Sequence, residues 1–176
     1  MKEEITLDSI YAKEIFRLAE NVTDKIFYNS STEHAVIVHQ ALMKTAKQYV
    51  DIFSCSMCSE ISNNEDYLNY MKDFLNGGKD RKINILLTNY DENFSSMPVY
   101  KLLSDYPEQV AIKKFTGIVN YQGKPAHFTV SDDRAFRLET DIEKHMAFGN
   151  FNSEVSAKNL REVFDKMFNS ELATNV

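Results

Sequence analysis

Residues 124–134, KPAHFTVSDDR, combine one histidine, an apolar–polar alternation and two consecutive aspartates. Successive side chains of a β-strand point to opposite faces, so His127, Thr129 and Ser131 are expected to share one face. The Phe and Val between them would share the other face, which is the natural core side because it is apolar. The alternation therefore predicts a strand that presents His127 and two hydroxyl side chains to solvent or to a cleft.

The rest of the chain alternates between helical and strand-like periodicity. Helices are predicted over 5–20, 30–48, 63–78, 98–105 and from Ser153 onward, and strands over 25–28, 50–55, 82–88 and 109–115, with a polar loop at 89–97. Short β segments fill 117–150, and AFRLET (135–140) stands out among them as an additional strand. This order predicts an α/β fold, a sandwich in which a mixed sheet is flanked by helices.

Length and composition point to one domain in a reducing compartment. The chain has 176 residues with no Pro/Gly-rich linker, so we expect a single domain over residues 33–176. Residues 1–32 are expected to extend this domain with a helix and a short strand. The polar N-terminus and the lack of a long apolar run predict no secretion signal, no membrane partner and a cytoplasmic location. A net charge of −6 makes the whole chain a poor non-specific nucleic-acid binder, although a local basic patch would override this.

Cys55 and Cys58 form a C-x-x-C pair after a predicted strand. Such a pair near a helix start suits thiol chemistry, because a helix N-terminus favours the thiolate. The alternative is two small apolar side chains at the end of a core strand. The four histidines show no metal-ligand spacing with this pair, so no metal site is expected.

A second polar stretch, GNFN (149–152), stands directly before the closing helix. The free backbone N–H groups at the start of that helix, after Ser153, would point back toward the loop. A helix N-terminus beside an asparagine and near a histidine suits phosphate binding.

Together these features resemble the phospholipase D superfamily, which carries HxKxxxxD on a strand, GSxN at a later strand end and a glutamate on the following helix. The resemblance extends over about residues 33–170. The candidate positions, in motif order, are His127, Thr129 in the lysine slot, Asp132 or Asp133 near the aspartate slot, Gly149-Asn150-Phe151-Asn152 and Glu162. The pattern departs from the family at Thr129, at Arg134 in the strict aspartate position and at Asn150 in place of serine.

The resemblance implies a metal-independent phosphodiesterase without a cofactor. His127 would attack phosphorus, a second histidine would protonate the leaving oxygen, and Asn152 would anchor the phosphate together with Gly149, Asn150 and Ser153. Because Thr129 carries no charge, Arg137 or Lys124 is the candidate substitute cation. A complete family site uses two motifs and this chain has one, so a homodimer is expected.

Three functions remain open from the sequence. The first is a phospholipase D-like phosphodiesterase or nuclease acting on nucleic acid or another phosphodiester. The second is a domain that kept the fold but lost catalysis and works by binding a partner. The third is a C-x-x-C thiol protein.

Overall fold

A computed structural model describes residues 6–90 and 92–176. Its helices are α1 (Leu7–Glu20), α2 (Thr32–Thr45), α3 (Ser59–Ser62), α4 (Glu65–Asn76), α5 (Glu92–Ser96), α6 (Pro98–Ser104) and α7 (Glu154–Phe168). Position 5, where the first helix was predicted to begin, lies outside the described residues. The short α5 occupies part of the segment predicted as a polar loop.

Ten strands among the described residues complete the fold. They are β1 (Phe27–Asn29), β2 (Tyr49–Ser54), β3 (Lys82–Leu87), β4 (Val110–Phe115), β5 (Asn120–Tyr121), β6 (Lys124–Pro125), β7 (His127–Ser131), β8 (Ala135–Asp141), β9 (Met146–Asn150) and β10 (Ala173–Asn175). Eight of them form one sheet in the order β1-β9-β8-β7-β2-β3-β4-β10, and β5 and β6 form a separate hairpin. The C-terminal strand β10 was not predicted.

The sheet is mixed. Strands β2, β3 and β4 run parallel to one another, whereas β7, β8, β9 and β1 add to β2 in antiparallel order and β10 closes the other edge antiparallel to β4. Helices cover both faces. The predicted fold class, a mixed sheet flanked by helices, is confirmed.

The two faces carry different helices because strand side chains alternate. On one face, β2 and β3 pack their apolar residues against α2, α4 and α6. On the other, Phe128 and Val130 of β7 pack with Phe136 of β8 against Phe164 of α7. Helix α1 lies against α2 and adds a third apolar cluster. His127 and Thr129 therefore point away from α7, toward the face that α2 covers.

Side-chain N-caps were predicted for three helices, and the structure shows the cap hydrogen bond at two of them. Ser31 accepts a hydrogen bond from the His34 amide at the start of α2, and Asn64 accepts one from the Tyr67 amide at the start of α4. Ser153 precedes α7 but its hydroxyl makes no cap bond; it donates instead to Ser156 Oγ at 3.0 Å.

The two aspartates after β7 form the turn into β8. Both adopt positive φ angles, 56° and 52°. The Asp132 carboxylate accepts hydrogen bonds from the amides of Lys47, Gln48 and Tyr49 at 2.7, 2.8 and 3.1 Å. These bonds tie the β7–β8 turn to the start of β2, so Asp132 fixes the hairpin that carries His127.

None of the helices among the described residues combines the length and the apolar character needed to cross a bilayer.

Candidate active site

A cavity of about 430 Å³ opens where β2 ends and β7 begins. The end of β2 lies beside the start of β7 because the two strands are antiparallel. The ionisable side chains and hydroxyl on which the site depends are His39, Cys55, Cys58, His127, Thr129, Arg137, Glu139 and His145; Ser54, Ser56, Met57, Ser59, Ser62 and Tyr67 also line the wall. Three histidines, one buried ion pair and two thiols thus meet in one pocket.

The pocket is organised around His127 and Glu139. The two residues lie opposite each other in the β7–β8 pairing, and His127 Nδ1 lies 3.3 Å from Glu139 Oε2. Only 9% of His127 and 5% of Glu139 is exposed. A carboxylate beside Nδ1 favours the proton on that nitrogen and leaves Nε2 as the free nitrogen of the neutral ring.

Glu139 has two further partners through its other oxygen. Oε1 lies 3.0 Å from His145 Nδ1 and accepts a hydrogen bond from Arg137 Nη2 at 2.9 Å. Burial alone would raise the pKa of Glu139, but the hydrogen bond with His127, the charge of Arg137 and the bond with His145 outweigh it and lower the pKa to about 2. Glu139 is therefore a carboxylate at neutral pH.

Arg137 is held by a second set of acceptors. Its Nε donates to Asn29 Oδ1 at 3.1 Å, and its Nη2 reaches the His145 carbonyl at 3.4 Å. Asn29 Nδ2 donates to the same His145 carbonyl. The edge strand β1 thus braces both the guanidinium and the turn that carries His145.

His39 of α2 adds a neutral imidazole to the wall. Burial, together with a smaller contribution from the charge of Arg137, lowers the pKa of His39 to about 3. Its ring meets Tyr67 edge-on at 5.8 Å. His39 is therefore an uncharged wall residue at neutral pH.

The two cysteines lie on the same wall as free, half-buried thiols. Cys58 Sγ lies 3.9 Å from His145 Nε2. Within the described ranges, no group of three or more histidine, cysteine or acidic side chains is arranged to hold a metal ion.

The structure brings together three of the residues that the family resemblance singled out, on the wall that also carries Cys55 and Cys58. His127, Thr129 and Arg137 all line the cavity and are all buried. Thr129 lies opposite Arg137 in the β7–β8 pairing, so the threonine in the lysine slot has a cation as its neighbour.

The GNFN loop does not join them. His127 pairs with Glu139, which pairs with Ala147, whereas Asn150 pairs with Phe136 at the far end of the same strands. The Asn150 side chain donates a hydrogen bond to the Asp24 carboxylate and accepts one from the backbone amide of Asn152. Asn152 itself is exposed. The expected meeting of His127 with this loop is absent because β8 lies between β7 and β9, and because Asn150 stands farther along β9 than Ala147, the residue level with His127.

The remaining predicted residues also lie outside the cavity wall. Gly149 sits under the Phe27 ring, and the Ser153 amide donates to the Arg134 carbonyl at 2.7 Å. Lys124 is exposed on the β5–β6 hairpin, and Glu162 is exposed on α7, across the sheet from His127. Arg137 is therefore the one of the two candidate cations that reaches the pocket.

Sequence reasoning missed Glu139 and His145. The sequence predicts AFRLET as an additional strand but does not indicate its neighbours; in the structure it is β8, the strand directly beside β7. A signal was available: Arg137 and Glu139 are polar residues two apart in a strand, which places them on one face. No periodicity marks His145, which stands in the β8–β9 turn with a φ of 52°.

Solved structures share this fold. The archaeal chromatin protein TrmBL2, described as showing a novel mode of DNA binding, superposes with a TM-score of 0.63 at 12% identity, over 93% of this chain and 61% of TrmBL2. The chain thus spans less than two thirds of that protein. NucT from Helicobacter pylori gives 0.61 at 12% identity, over 86% and 99% of the two chains. Nuc from Salmonella typhimurium, a phospholipase D family member, gives 0.55 at 11% identity, over 88% and 97%.

At these identities the likeness establishes the fold, and the predicted phospholipase D-like fold is confirmed. No curated protein matches the sequence. The family model described as "Domain of unknown function (DUF7931)" matches residues 31–174, which is most of the chain, and the chain therefore belongs to that family.

Proposed function

We propose that the chain is a metal-independent phosphodiesterase of phospholipase D type in which His127 is the nucleophile. The observation that supports this most is the pairing of His127 Nδ1 with the buried carboxylate of Glu139 at the wall of a cavity. An imidazole held in this way has a defined tautomer and an available Nε2, which is what nucleophilic attack on phosphorus requires.

The chemistry follows from that tautomer. Nε2 attacks phosphorus and forms a P–N bond while the P–O bond to the leaving group breaks, which gives a phosphohistidine. As positive charge develops on the His127 ring, the Glu139 carboxylate stabilises it. Water then attacks phosphorus, breaks the P–N bond and releases a phosphomonoester.

The donors for the non-bridging oxygens are Thr129 and Arg137. Both line the cavity, but the Arg137 guanidinium already serves Glu139, Asn29 and the His145 carbonyl. Loss of one charged donor typically costs ~10²–10³ in rate. We therefore expect slow turnover.

Nucleic acid is the proposed substrate class, and a homodimer the proposed assembly. DNA binding by TrmBL2, a neighbour in fold, supports nucleic acid as the substrate class. The presence of one family motif in this chain, where a complete family site uses two, supports the homodimer. Of the basic residues of 113–137, Arg137 lines the pocket, and the others are not in its wall. Lys113 donates to the Phe168 carbonyl, and Arg134 donates to the carbonyls of Phe151 and Thr45. A short single strand that places one phosphate in the cavity is therefore favoured over a long duplex.

One observation favours the alternative, a binding domain without catalysis. With Thr129 in the lysine slot and Arg137 neutralised by Glu139, the described part of the chain places no unpaired cation in the cavity wall. Such a pocket would hold a phosphate by hydrogen bonds and would lack the charge needed to stabilise a transition state.

The test is cleavage of single-stranded DNA, duplex DNA, RNA and a nitrophenyl phosphodiester in the presence of chelator. The variants are His127→Ala and, as matched control, His34→Gln, because His34 lies on α2 in contact with Asp8 and Tyr11, outside the cavity wall. Cleavage by wild type and by the control, with loss in His127→Ala, supports the enzyme. Absence of cleavage, together with binding of single-stranded DNA that weakens in His127→Ala, supports the binding domain instead.

A further inference from the structure

Glu139 holds two histidines, one by each oxygen. Oε2 faces His127 Nδ1 at 3.3 Å and Oε1 faces His145 Nδ1 at 3.0 Å. Both rings therefore turn the same nitrogen toward the carboxylate and keep Nε2 for other partners. For His145 that nitrogen faces Cys58 Sγ, a residue of the cavity wall.

His145 is positioned from its backbone as well as from its ring. Its carbonyl accepts hydrogen bonds from Asn29 Nδ2 and Arg137 Nη2, and its φ of 52° is uncommon for a residue other than glycine. A left-handed residue held by two side chains and a carboxylate is a fixed feature of the turn.

The two histidines also differ in access to solvent. The His145 side chain is 19% exposed, against 11% for His127. His145 is thus the better placed of the pair to exchange protons with water, while His127 lies deeper in the wall.

We propose that His145 is the general acid and base of this site, supplied by the same chain as the nucleophile. This rests on the proposed function of His127. It differs from the expectation that the second histidine comes from a twofold-related chain, since one carboxylate joins both groups within one chain. A homodimer is then not needed to complete the site.

Both proton transfers take place at His145 Nε2. In the first step His145 donates its Nε2 proton to the leaving oxygen while the P–O bond breaks and the bond from phosphorus to His127 Nε2 forms. In the second step the neutral His145 Nε2 takes a proton from water, whose oxygen attacks phosphorus and breaks the P–N bond. Both histidines return to their starting states, and the products are an alcohol and a phosphomonoester.

The experiment compares two phosphodiesters that share one half and differ in leaving group, a nitrophenolate and an alkoxide. A nitrophenolate leaves without help, whereas an alkoxide needs a proton, and a general acid typically contributes ~10²–10⁴-fold. His145→Gln is expected to lose ~10²-fold or more on the alkyl substrate and to keep its nitrophenolate burst within about tenfold. Because the readout is a ratio between two substrates, it does not depend on how much of the variant is folded.

A second readout follows the trapped intermediate. His145→Gln is expected to accumulate phosphohistidine from the nitrophenyl substrate, because water is no longer deprotonated. His34→Gln serves as control and should match wild type in both measurements.

The outcomes separate the two proposals. If His145→Gln keeps the wild-type ratio between the substrates, His145 is not the acid and the role of His127 is unaffected. If wild type cleaves neither substrate, or His127→Ala cleaves both, the proposed function fails and the role of His145 fails with it.

Discussion

Glu139 lies directly opposite His127 across the β7–β8 hairpin, with Oε2 and Nδ1 3.3 Å apart. Residues paired in this way project from the same face, so the register of one hairpin decides what His127 touches. Asp132 fixes that register by tying the turn to β2. The positions of His127, Thr129, Arg137 and Glu139 in the pocket therefore depend on the turn that joins β7 to β8.

Replacing Glu139 by glutamine should destabilise the protein at neutral pH. Arg137 would then be a buried charge without its carboxylate, which typically costs about 3–5 kcal/mol. Glu154→Gln is the control, because it removes a solvent-exposed pair with Lys158, and exposed pairs contribute little to stability. Urea denaturation at pH 7 measures both, and equal stabilities for the two variants would contradict the role given to Glu139.

The same substitution should change the dependence of stability on pH. The folded pKa of Glu139 lies near 2, below its ordinary value of 4.5, so the folded state prefers the carboxylate. Its contribution, roughly 3 kcal/mol at 1.36 kcal/mol per pKa unit, is present above pH 4.5 and is lost as the pH falls toward 2. The difference in free energy of unfolding between wild type and Glu139→Gln should shrink over that window.

Asp51 should make the free energy of unfolding depend on pH with the opposite sign. It is buried on the α7 side of β2, accepts a hydrogen bond from Asn84 Nδ2 at 2.8 Å, and its Oδ2 accepts none from the described residues. Burial raises its pKa to about 6 from 3.8, so the folded state takes up a proton first. Stability therefore rises as the pH falls from about 6 to 4, by at most roughly 3 kcal/mol.

Asp51→Asn carries no such group and should lack that gain. The free energy of unfolding of wild type and variant would be measured every half pH unit between pH 7.5 and 4. Groups that titrate alike in both proteins cancel in the difference between the two values. A difference that does not vary with pH would show that Asp51 is not held in a desolvated state.

Gly149 should matter for packing. A Cβ at this position would lie 2.1 Å from the Phe136 carbonyl oxygen and 2.5 Å from Phe27 Cζ. Gly149→Ala is expected to cost about 1–3 kcal/mol or more. Gly78→Ala is the control, since its Cβ would meet only the Arg81 side chain, at 3.8 Å. Thermal unfolding compares them, and a Gly149→Ala protein as stable as Gly78→Ala would contradict the close approach.

Alkylation of Cys58 should block the pocket. Its thiol lies on the cavity wall 3.9 Å from His145 Nε2, so a carboxamidomethyl group would occupy the space that a phosphate needs. Treatment of wild type should abolish cleavage, whereas Cys58→Ser should remain active after the same treatment. Inhibition of Cys58→Ser to the same extent would assign the effect to Cys55 or to another site.

The sequence predicts the fold well and the site in part. The alternation in HFTVS places Phe128 toward the core and His127 toward a cleft, and both are confirmed because period-2 burial is a local property. Helices α2 and α4 are visible from their periodicity and their caps for the same reason.

The partners of His127 were not predictable in this way. The match of GNFN to a family motif joined His127 to Asn152, yet their separation depends on which strands lie side by side, and β8 is the one beside β7. His145 reaches the pocket through a turn whose geometry depends on Asn29, more than a hundred residues earlier in the chain. Contacts of this range follow from sheet order, which short sequence patterns do not encode.

The most direct measurement of the central claim is a rapid-quench search for a phosphoryl group on His127. Wild type would be mixed with a nitrophenyl phosphodiester in the presence of chelator, quenched under alkaline conditions that preserve phosphohistidine, and analysed by peptide mass spectrometry. The account predicts a transient phosphoryl group on the peptide that carries His127, absent in His127→Ala. Cleavage by wild type with no phosphohistidine at any time, or undiminished cleavage by His127→Ala, would contradict it.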